Sequence, residues 1–193
     1  SAIPVAKIQP TMYGIFFEDI NFAADGGLYA EMVKNRSFEF DQPLMGWTQP
    51  ATDPYSSNLK SGVAHTLSYA NNINKNILRV DVFDGNNYSL VNDGFRGMGV
   101  KKGNEYQLSF YAANRDLNIK GIRFHLVDSQ NNVIATAQVD PNQKEWHKYT
   151  ATLLANKTEE KARLKITFMG RGSIDLDMIS LFPKDTWKGR PNG

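Results

Sequence analysis

The sequence predicts an all-β protein, a jelly-roll sandwich of antiparallel strands preceded by a short strand–helix segment. Between residues 41 and 183, apolar side chains alternate with polar ones at period two, which is typical of strands with one buried face. Turn-forming Asn, Asp and Gly residues separate these segments at short intervals, as in sandwiches and jelly rolls. The first forty residues differ, because they contain a continuous apolar run followed by helical spacing.

The period-two alternation is clearest in five segments, each of which predicts a strand. They are Leu78-Val80-Val82, Tyr106-Leu108-Phe110, Ile122-Phe124-Leu126, Leu164-Ile166-Phe168 and Ile174-Leu176-Met178. The turns between strands are marked by Asp84-Gly85, Asn92-Asp93-Gly94, Lys102-Gly103-Asn104 and Gly170-Arg171-Gly172.

The N-terminal region predicts a strand, an acidic loop and a helix. The run Gly14-Ile15-Phe16-Phe17 is apolar throughout, as in a strand that is buried on both faces. After an Asp-Gly-Gly turn, Leu28 and Met32, like Tyr29 and Val33, lie four residues apart and form one apolar helical face. This order is how a strand–helix unit of a parallel barrel begins.

These differences in residue pattern divide the chain of 193 residues into three regions. Residues 1–40 are the strand and first strand–helix unit of an incomplete barrel. Residues 41–183 predict the sandwich, and residues 184–193 have no pattern that could close a domain. A whole barrel needs about 250 residues.

Composition excludes several classes of partner and site. Formal net charge is +2, so nothing in the charge balance favours nucleic acid or an anionic membrane as partner. Cysteine is absent, which excludes disulfides and thiolate metal sites. No stretch approaches the roughly 20 apolar residues that span a bilayer. The opening Ser1-Ala2-Ile3-Pro4 fits a chain that begins after a removed export signal.

Glu18, Asp19 and Asn21 are candidates for sugar binding. They follow the apolar run, and side chains at the carboxyl ends of barrel strands line the active site. A carboxylate there accepts hydrogen bonds from sugar hydroxyls. The alternative is that the acidic pair only caps the turn after the strand.

Aromatic residues are candidates for stacking on sugar rings, since a sugar presents an apolar C–H face to a π surface. The candidates are Trp47, Tyr55, Tyr88 and Phe95, with Tyr69 and Trp146 as further members of the set. The alternative for each is core packing, and Trp146 opens a strand at a position that usually packs inside a sandwich.

Glu39, together with Asp175 or Asp177 of the last predicted strand, is a candidate ligand for a structural calcium ion. In a jelly roll, the segment with Glu39 and the last strand lie side by side, and calcium takes several oxygen ligands, which loops supply. The alternative is that these carboxylates only face solvent. No other cofactor is expected.

Two N-terminal motifs resemble the start of glycoside hydrolase family 51 α-L-arabinofuranosidases. They are the segments 14–21, Gly-Ile-Phe-Phe-Glu-Asp-Ile-Asn, and 26–39, Gly-Gly-Leu-Tyr-Ala-Glu-Met-Val-Lys-Asn-Arg-Ser-Phe-Glu. Further matches lie at 46–47, 92–98, 106–111, 174–183 and 185–190, so the resemblance covers nearly the whole chain. It implies that residues 184–193 are a linker back to the missing barrel. It is closest to members that carry an inserted galactose-binding-like sandwich of the 4/9 carbohydrate-binding type.

The resemblance implies retaining hydrolysis of terminal arabinofuranosyl groups from arabinose-containing plant polysaccharides by a secreted or periplasmic enzyme. Such hydrolysis uses two carboxyl groups, which in this family are glutamates on later barrel strands, so this chain by itself is expected to be inactive. Glu18 matches a family glutamate that contacts arabinose, whereas Asp19 stands where the family usually has His. The 4/9 type also supports calcium between Glu39 and Asp177.

The sequence is also compatible with two other functions: an autonomous carbohydrate-binding module, and a structural sandwich that binds no sugar. The opening barrel segment counts against the second. Without its barrel neighbours, that segment is also a candidate surface for self-association.

Overall fold

The computed structural model describes residues 29–49, 61–70, 74–84 and 88–189, and these residues form a sandwich of two antiparallel sheets. The strands are β1 (Trp47–Thr48), β2 (Gly62–Ser68), β3 (Asn76–Val82), β4 (Ser89–Asn92), β5 (Met98–Val100), β6 (Glu105–Ala113), β7 (Ile119–Val127), β8 (Val133–Val139), β9 (His147–Leu154), β10 (Glu159–Gly170) and β11 (Gly172–Pro183). The five-stranded sheet has the order β2-β3-β11-β6-β9. The six-stranded sheet has the order β1-β4-β10-β7-β8, and β5 also pairs with β10.

The core lies between the two sheets and is built from the alternating apolar positions. Each of the five predicted strands is present, which confirms the sandwich prediction. Leu108 and Phe110 of β6 face Phe124 of β7 and Phe168 of β10, and all four side chains are buried. The rings of Phe110 and Phe124 lie 5.0 Å apart and join the two sheets. Burial of this apolar surface is the main stabilising contribution.

A β-bulge interrupts β11, the central strand of the five-stranded sheet. Asp177 pairs with Tyr111, but the next pair is Ser180 with Ser109, so β11 contains an extra residue between them. Met178 lies in the bulge with a φ of 51°. After Leu176, the next β11 side chain that faces the core is therefore that of Ile179, three residues further along. The prediction that Met178 continues the inward set is wrong, because the bulge shifts the phase of the strand.

Residues 29–36 run along the part of β11 that β3 leaves unpaired. The Met32 amide donates to the Leu181 carbonyl at 3.0 Å, and the Ile179 amide donates to the Arg36 carbonyl at 3.0 Å. The predicted helix is therefore wrong over residues 29–33. These backbone groups bond across to a strand, and Val33 is buried in the sandwich core.

Helical structure is nearly absent from the described residues. It consists of a single 3-10 turn at Trp187–Gly189, and within the described ranges no helix is long and apolar enough to cross a membrane. The predicted barrel strand at 14–17, and the surface for self-association that it offers, lie outside the described residues. The predicted division at residues 40 and 183 stays a prediction.

Candidate functional site

The outer face of the five-stranded sheet carries a cleft of about 550 Å³. Its lining residues are Tyr69, Asn74, Ile77, Tyr111, Arg115, Trp146, Asp177 and Met178. Tyr69, Tyr111 and Trp146 are 43%, 40% and 40% exposed, which is unusual for large aromatic side chains. They come from both edges of this sheet, since Tyr69 follows the edge strand β2 and Trp146 precedes the other edge strand, β9.

Local backbone structure places each aromatic side chain. Tyr111 faces outward because it alternates with buried Phe110 and Ala112 on β6. Tyr69 lies in the turn between β2 and β3, where its amide donates to the Lys75 carbonyl at 2.7 Å. Trp146 lies just outside β9, so no cross-strand pairing directs its ring into the core.

A buried carboxylate anchors two guanidinium groups at the cleft. The Asp175 side chain is buried and accepts hydrogen bonds from Arg79 Nε at 2.6 Å and Arg79 Nη2 at 2.8 Å. Arg115 Nε lies 3.4 Å from Asp175 Oδ2, and the Arg115 side chain is half exposed. These bonds raise the pKa of Arg79. Arg115 thus presents oriented donors beside the aromatic rings.

A second cavity of about 510 Å³ continues from the first on the same face, and both are lined by Tyr111 and Met178. We call the two cavities together the groove, with the first as its aromatic half and the second as its cationic half. The lining of the cationic half includes Tyr29, Arg36, Gln107, Ser109, Lys148, Thr150, Ser180, Phe182 and Lys184. Lys148 Nζ lies 6.0 Å from the Tyr111 ring centroid, at the junction of the halves.

A buried glutamate supports the cationic half from behind. Glu31 Oε1 accepts hydrogen bonds from the amides of Val33 at 3.0 Å and Leu181 at 2.9 Å. Its Oε2 lies 3.5 Å from Arg36 Nη1, which also contacts Ser180 Oγ at 3.3 Å. Burial raises the pKa of Glu31 in spite of these partners.

The two predicted calcium ligands lie in one region at the edge of the aromatic half. Burial raises the pKa of Asp177 to about 6, and the negative charge of Glu39 adds to this shift. Both Glu39 oxygens accept hydrogen bonds from Asn76, and Asp177 Oδ1 accepts one from the Met178 amide at 2.7 Å. Oxygen donors of this kind suit a hard cation. Among the described residues, no third acidic or histidine side chain joins them.

The predicted stacking residues Trp47 and Tyr88 are buried in the core, at 7% and 1% exposure, so their rings are not available to a sugar. Trp47 Nε1 donates to the Asn35 carbonyl at 3.1 Å, and the Tyr88 hydroxyl bonds Gln49 Oε1 at 2.8 Å. Each aromatic ring thus fills the core while its polar atom finds a partner. Phe95 is half-buried in the turn after β4 and lines neither half of the groove.

Glu18, Asp19, Asn21 and Tyr55 lie outside the described residues. The groove residues that sequence reasoning missed include Tyr111, Arg115, Lys148 and Met178. Only Tyr111 could have been predicted from the sequence. It alternates with the apolar residues of β6 that face the core, so its side chain is expected to face outward. Trp146 was a stacking candidate with core packing as the alternative, and it borders the groove, as does the candidate Tyr69.

A jelly-roll sandwich with exposed aromatic rings along a groove on one sheet is the arrangement of carbohydrate-binding proteins. Residues 30–170 match the family model for the 4/9-type carbohydrate-binding domain, described as "Carbohydrate binding domain". The chain belongs to this family.

Curated relatives extend the similarity beyond the sandwich. The chain is 37% identical, over 97% of its length, to an extracellular exo-α-L-arabinofuranosidase of Streptomyces chartreusis. It is 33% identical, over 94% of its length, to α-L-arabinofuranosidase 1 of Arabidopsis thaliana. The matched regions span 22% and 28% of those two proteins, so the chain corresponds to a small part of each. The resemblance to arabinofuranosidases is thereby confirmed.

Solved structures share the fold. An arabinose-bound family 51 α-L-arabinofuranosidase aligns over 94% of this chain and 30% of its own, with a TM-score of 0.76 and 24% identity. The binding and catalytic modules of a Clostridium thermocellum xylanase, complexed with xylohexaose, align over 80% of this chain and 29% of theirs, with a TM-score of 0.54 and 19% identity.

Proposed function

We propose that the chain is the carbohydrate-binding part of a secreted, retaining α-L-arabinofuranosidase, and that its groove binds arabinose-containing plant polysaccharide. The names of the curated relatives support the enzyme class, and the extracellular Streptomyces relative supports secretion. The family match supports sugar binding. The catalytic acid/base and nucleophile are proposed to lie in a part of the enzyme other than these 193 residues.

The observation that carries the proposal is the set of three exposed aromatic rings bordering one cleft. Tyr69 stands on one side of the cleft, and Tyr111 and Trp146 stand on the other, so a sugar chain that crosses the strands meets aromatic faces along its path. Without a ligand, these rings keep apolar surface in contact with water, which is unfavourable, so their exposure indicates a binding surface. Arg115 and Asn74 supply polar groups for sugar hydroxyls at the same cleft.

Calorimetric titration with arabinan and arabinoxylan oligosaccharides tests the proposal, using Trp146→Ala as the disrupting variant. Loss of one stacking ring is expected to weaken binding by about five- to tenfold, since an aromatic contact contributes roughly 1 kcal/mol or more. Phe83→Ala is the matched control. Phe83 is 47% exposed and lines neither half of the groove.

Absence of binding heat with every oligosaccharide would support the structural sandwich instead. Equal affinity of the wild type and Trp146→Ala would move the binding site away from the groove. A result in which Phe83→Ala weakens binding as much as Trp146→Ala would have the same meaning.

A further inference from the structure

The cationic half of the groove has a charge pattern that a neutral sugar does not need. Three cationic side chains line it, Arg36, Lys148 and Lys184. Two of them face carboxylates, because Arg36 lies 3.5 Å from Glu31 and Lys184 pairs with Glu105. Lys148 forms no ion pair with any residue that the structure describes, which leaves its charge available at the groove.

Lys148 is placed by the sheet and not by a flexible loop. It lies on β9 and pairs in register with Tyr111 of β6, so the ammonium group and the tyrosine ring stand side by side on the outer face. The contact of Lys148 with the Tyr111 ring holds the cation at the junction of the two halves. A ligand stacked on Tyr111 therefore lies within reach of a positive charge.

Hydroxyl groups complete this half of the groove. Ser109, Thr150 and Ser180 line it together with Lys148, and Ser180 contacts the guanidinium of Arg36. These groups exchange hydrogen bonds with sugar hydroxyls, while an ammonium group and a guanidinium group favour a carboxylate. Because Tyr111 and Met178 line both halves, one oligosaccharide can occupy both of them.

We infer that the cationic half binds a carboxylate-bearing sugar, a uronate, next to the neutral sugar held by the aromatic half. This inference rests on the proposed function and names the substrate class more closely: an arabinose-containing polysaccharide that carries uronic acid groups. The uronate ring contacts Tyr111, and its carboxylate accepts hydrogen bonds from Lys148.

The test compares two arabinoxylan oligosaccharides with the same backbone, one of which bears a single glucuronic acid side group. At low salt, the acidic oligosaccharide is expected to bind about two- to fivefold more tightly, the range of one solvent-exposed ion pair. This preference should shrink in 0.5 M NaCl, because salt screens exposed charges. Lys148→Gln should abolish it, so that the variant binds the acidic and the neutral oligosaccharide with equal affinity.

Lys165→Gln is the matched control, because it removes the same charge from β10 in the opposite sheet and should retain the preference. Equal affinity of the wild type for both oligosaccharides overturns the inference and leaves the proposed function standing. A preference that survives in Lys148→Gln also overturns it. Failure of both oligosaccharides to bind removes the proposed function, and the inference with it.

Discussion

At the scale of single residues, the buried carboxyl group of Glu31 links two segments of the chain. Its carboxyl group is fully buried, accepts two backbone amides through Oε1, and has no hydrogen-bond partner at Oε2. One of those amides belongs to Leu181 of β11, so Glu31 attaches the segment before β1 to the last strand. Burial raises its pKa, which means that the folded protein binds its proton more tightly than the unfolded chain does.

Replacement of Glu31 tests this role. Glu31→Ala leaves the buried amides of Val33 and Leu181 without their acceptor and is expected to cost about 2–4 kcal/mol of stability. Glu31→Gln keeps an acceptor oxygen and should cost less. Urea unfolding monitored by intrinsic tryptophan fluorescence measures both changes. Equal stabilities for the two variants would contradict the role of the acceptor.

The pH dependence of the same variants has a defined sign. Because the pKa of Glu31 is raised on folding, its contribution to stability is largest below the unfolded value, near 4.5, and is lost as pH rises through the folded value. From pH 4.5 upward, the stability of the wild type should therefore fall relative to that of Glu31→Gln. Parallel stability curves for the two proteins would show that the carboxyl group titrates alike in the folded and unfolded states.

At the scale of elements, the bulge in β11 brings a strand carboxylate to the segment before β1. Asp177 precedes the bulge, and the charge of Glu39 contributes to its raised pKa. The negative charge of Glu39 disfavours ionisation of Asp177, and a cation bound between the two side chains would offset this repulsion. We therefore propose calcium at Glu39 and Asp177, with backbone carbonyls and water as the remaining ligands.

Calcium at about ten times its dissociation constant should raise the melting temperature by about 3–6 °C, and a chelator should reverse the change. Asp177→Asn should abolish the response. Asp185→Asn, which removes an exposed carboxylate beyond β11, is the control and should keep it. A melting temperature that responds to neither calcium nor chelator excludes the ion from this position.

The elements that the sequence predicts well are those whose two faces differ most. Strands β6, β7 and β10 alternate over most of their length because one face meets the core and the other face is more exposed. Met178 was predicted to face inward because its side chain is apolar, whereas a bulge depends on pairing with a distant strand. The helix predicted around Met32 failed for the same reason, since its backbone bonds to Leu181, far away in sequence.

The candidate site was harder to predict than the fold. Trp47 and Trp146 are both tryptophans near strand starts, yet the first is core and the second borders the groove. The difference arises because Trp47 Nε1 has a backbone acceptor inside the core, at Asn35. Lys148 and Tyr111 meet only through the register of β6 with β9. No local pattern in a single sequence encodes that register.

At the scale of the whole molecule, we propose that the sandwich binds sugar and that hydrolysis takes place in another part of a longer protein. Retaining hydrolysis needs two carboxyl groups about 5 Å apart, one of them protonated and the other ionised. The two carboxylates on the groove face of β11 are Asp175 and Asp177, and Asp175 is held by two guanidinium groups. This pairing of Asp175 supports the proposal that the reactive carboxyl groups belong to another part of the enzyme.

The purified chain of 193 residues is expected to show no turnover of an aryl α-L-arabinofuranoside above the rate in buffer. Release of the aryl group, followed by absorbance, measures this, with the Streptomyces relative as a positive control. Turnover that copurifies with the wild type and disappears in Asp177→Asn would place the chemistry on the sandwich.

The strands at the centres of the two sheets come late in the chain, and this order has a consequence for synthesis. β10 lies between β4 and β7, and β11 lies between β3 and β6. On the ribosome, the earlier strands emerge before their central partners. The six-stranded sheet cannot close until β10 has left the exit tunnel, and the five-stranded sheet cannot close until β11 has followed. Assembly should therefore be late, cooperative and slow, because most strand pairings, apart from those of β2 with β3 and of β7 with β8, join segments that are distant in sequence. A nascent chain stalled before β11 should remain sensitive to protease.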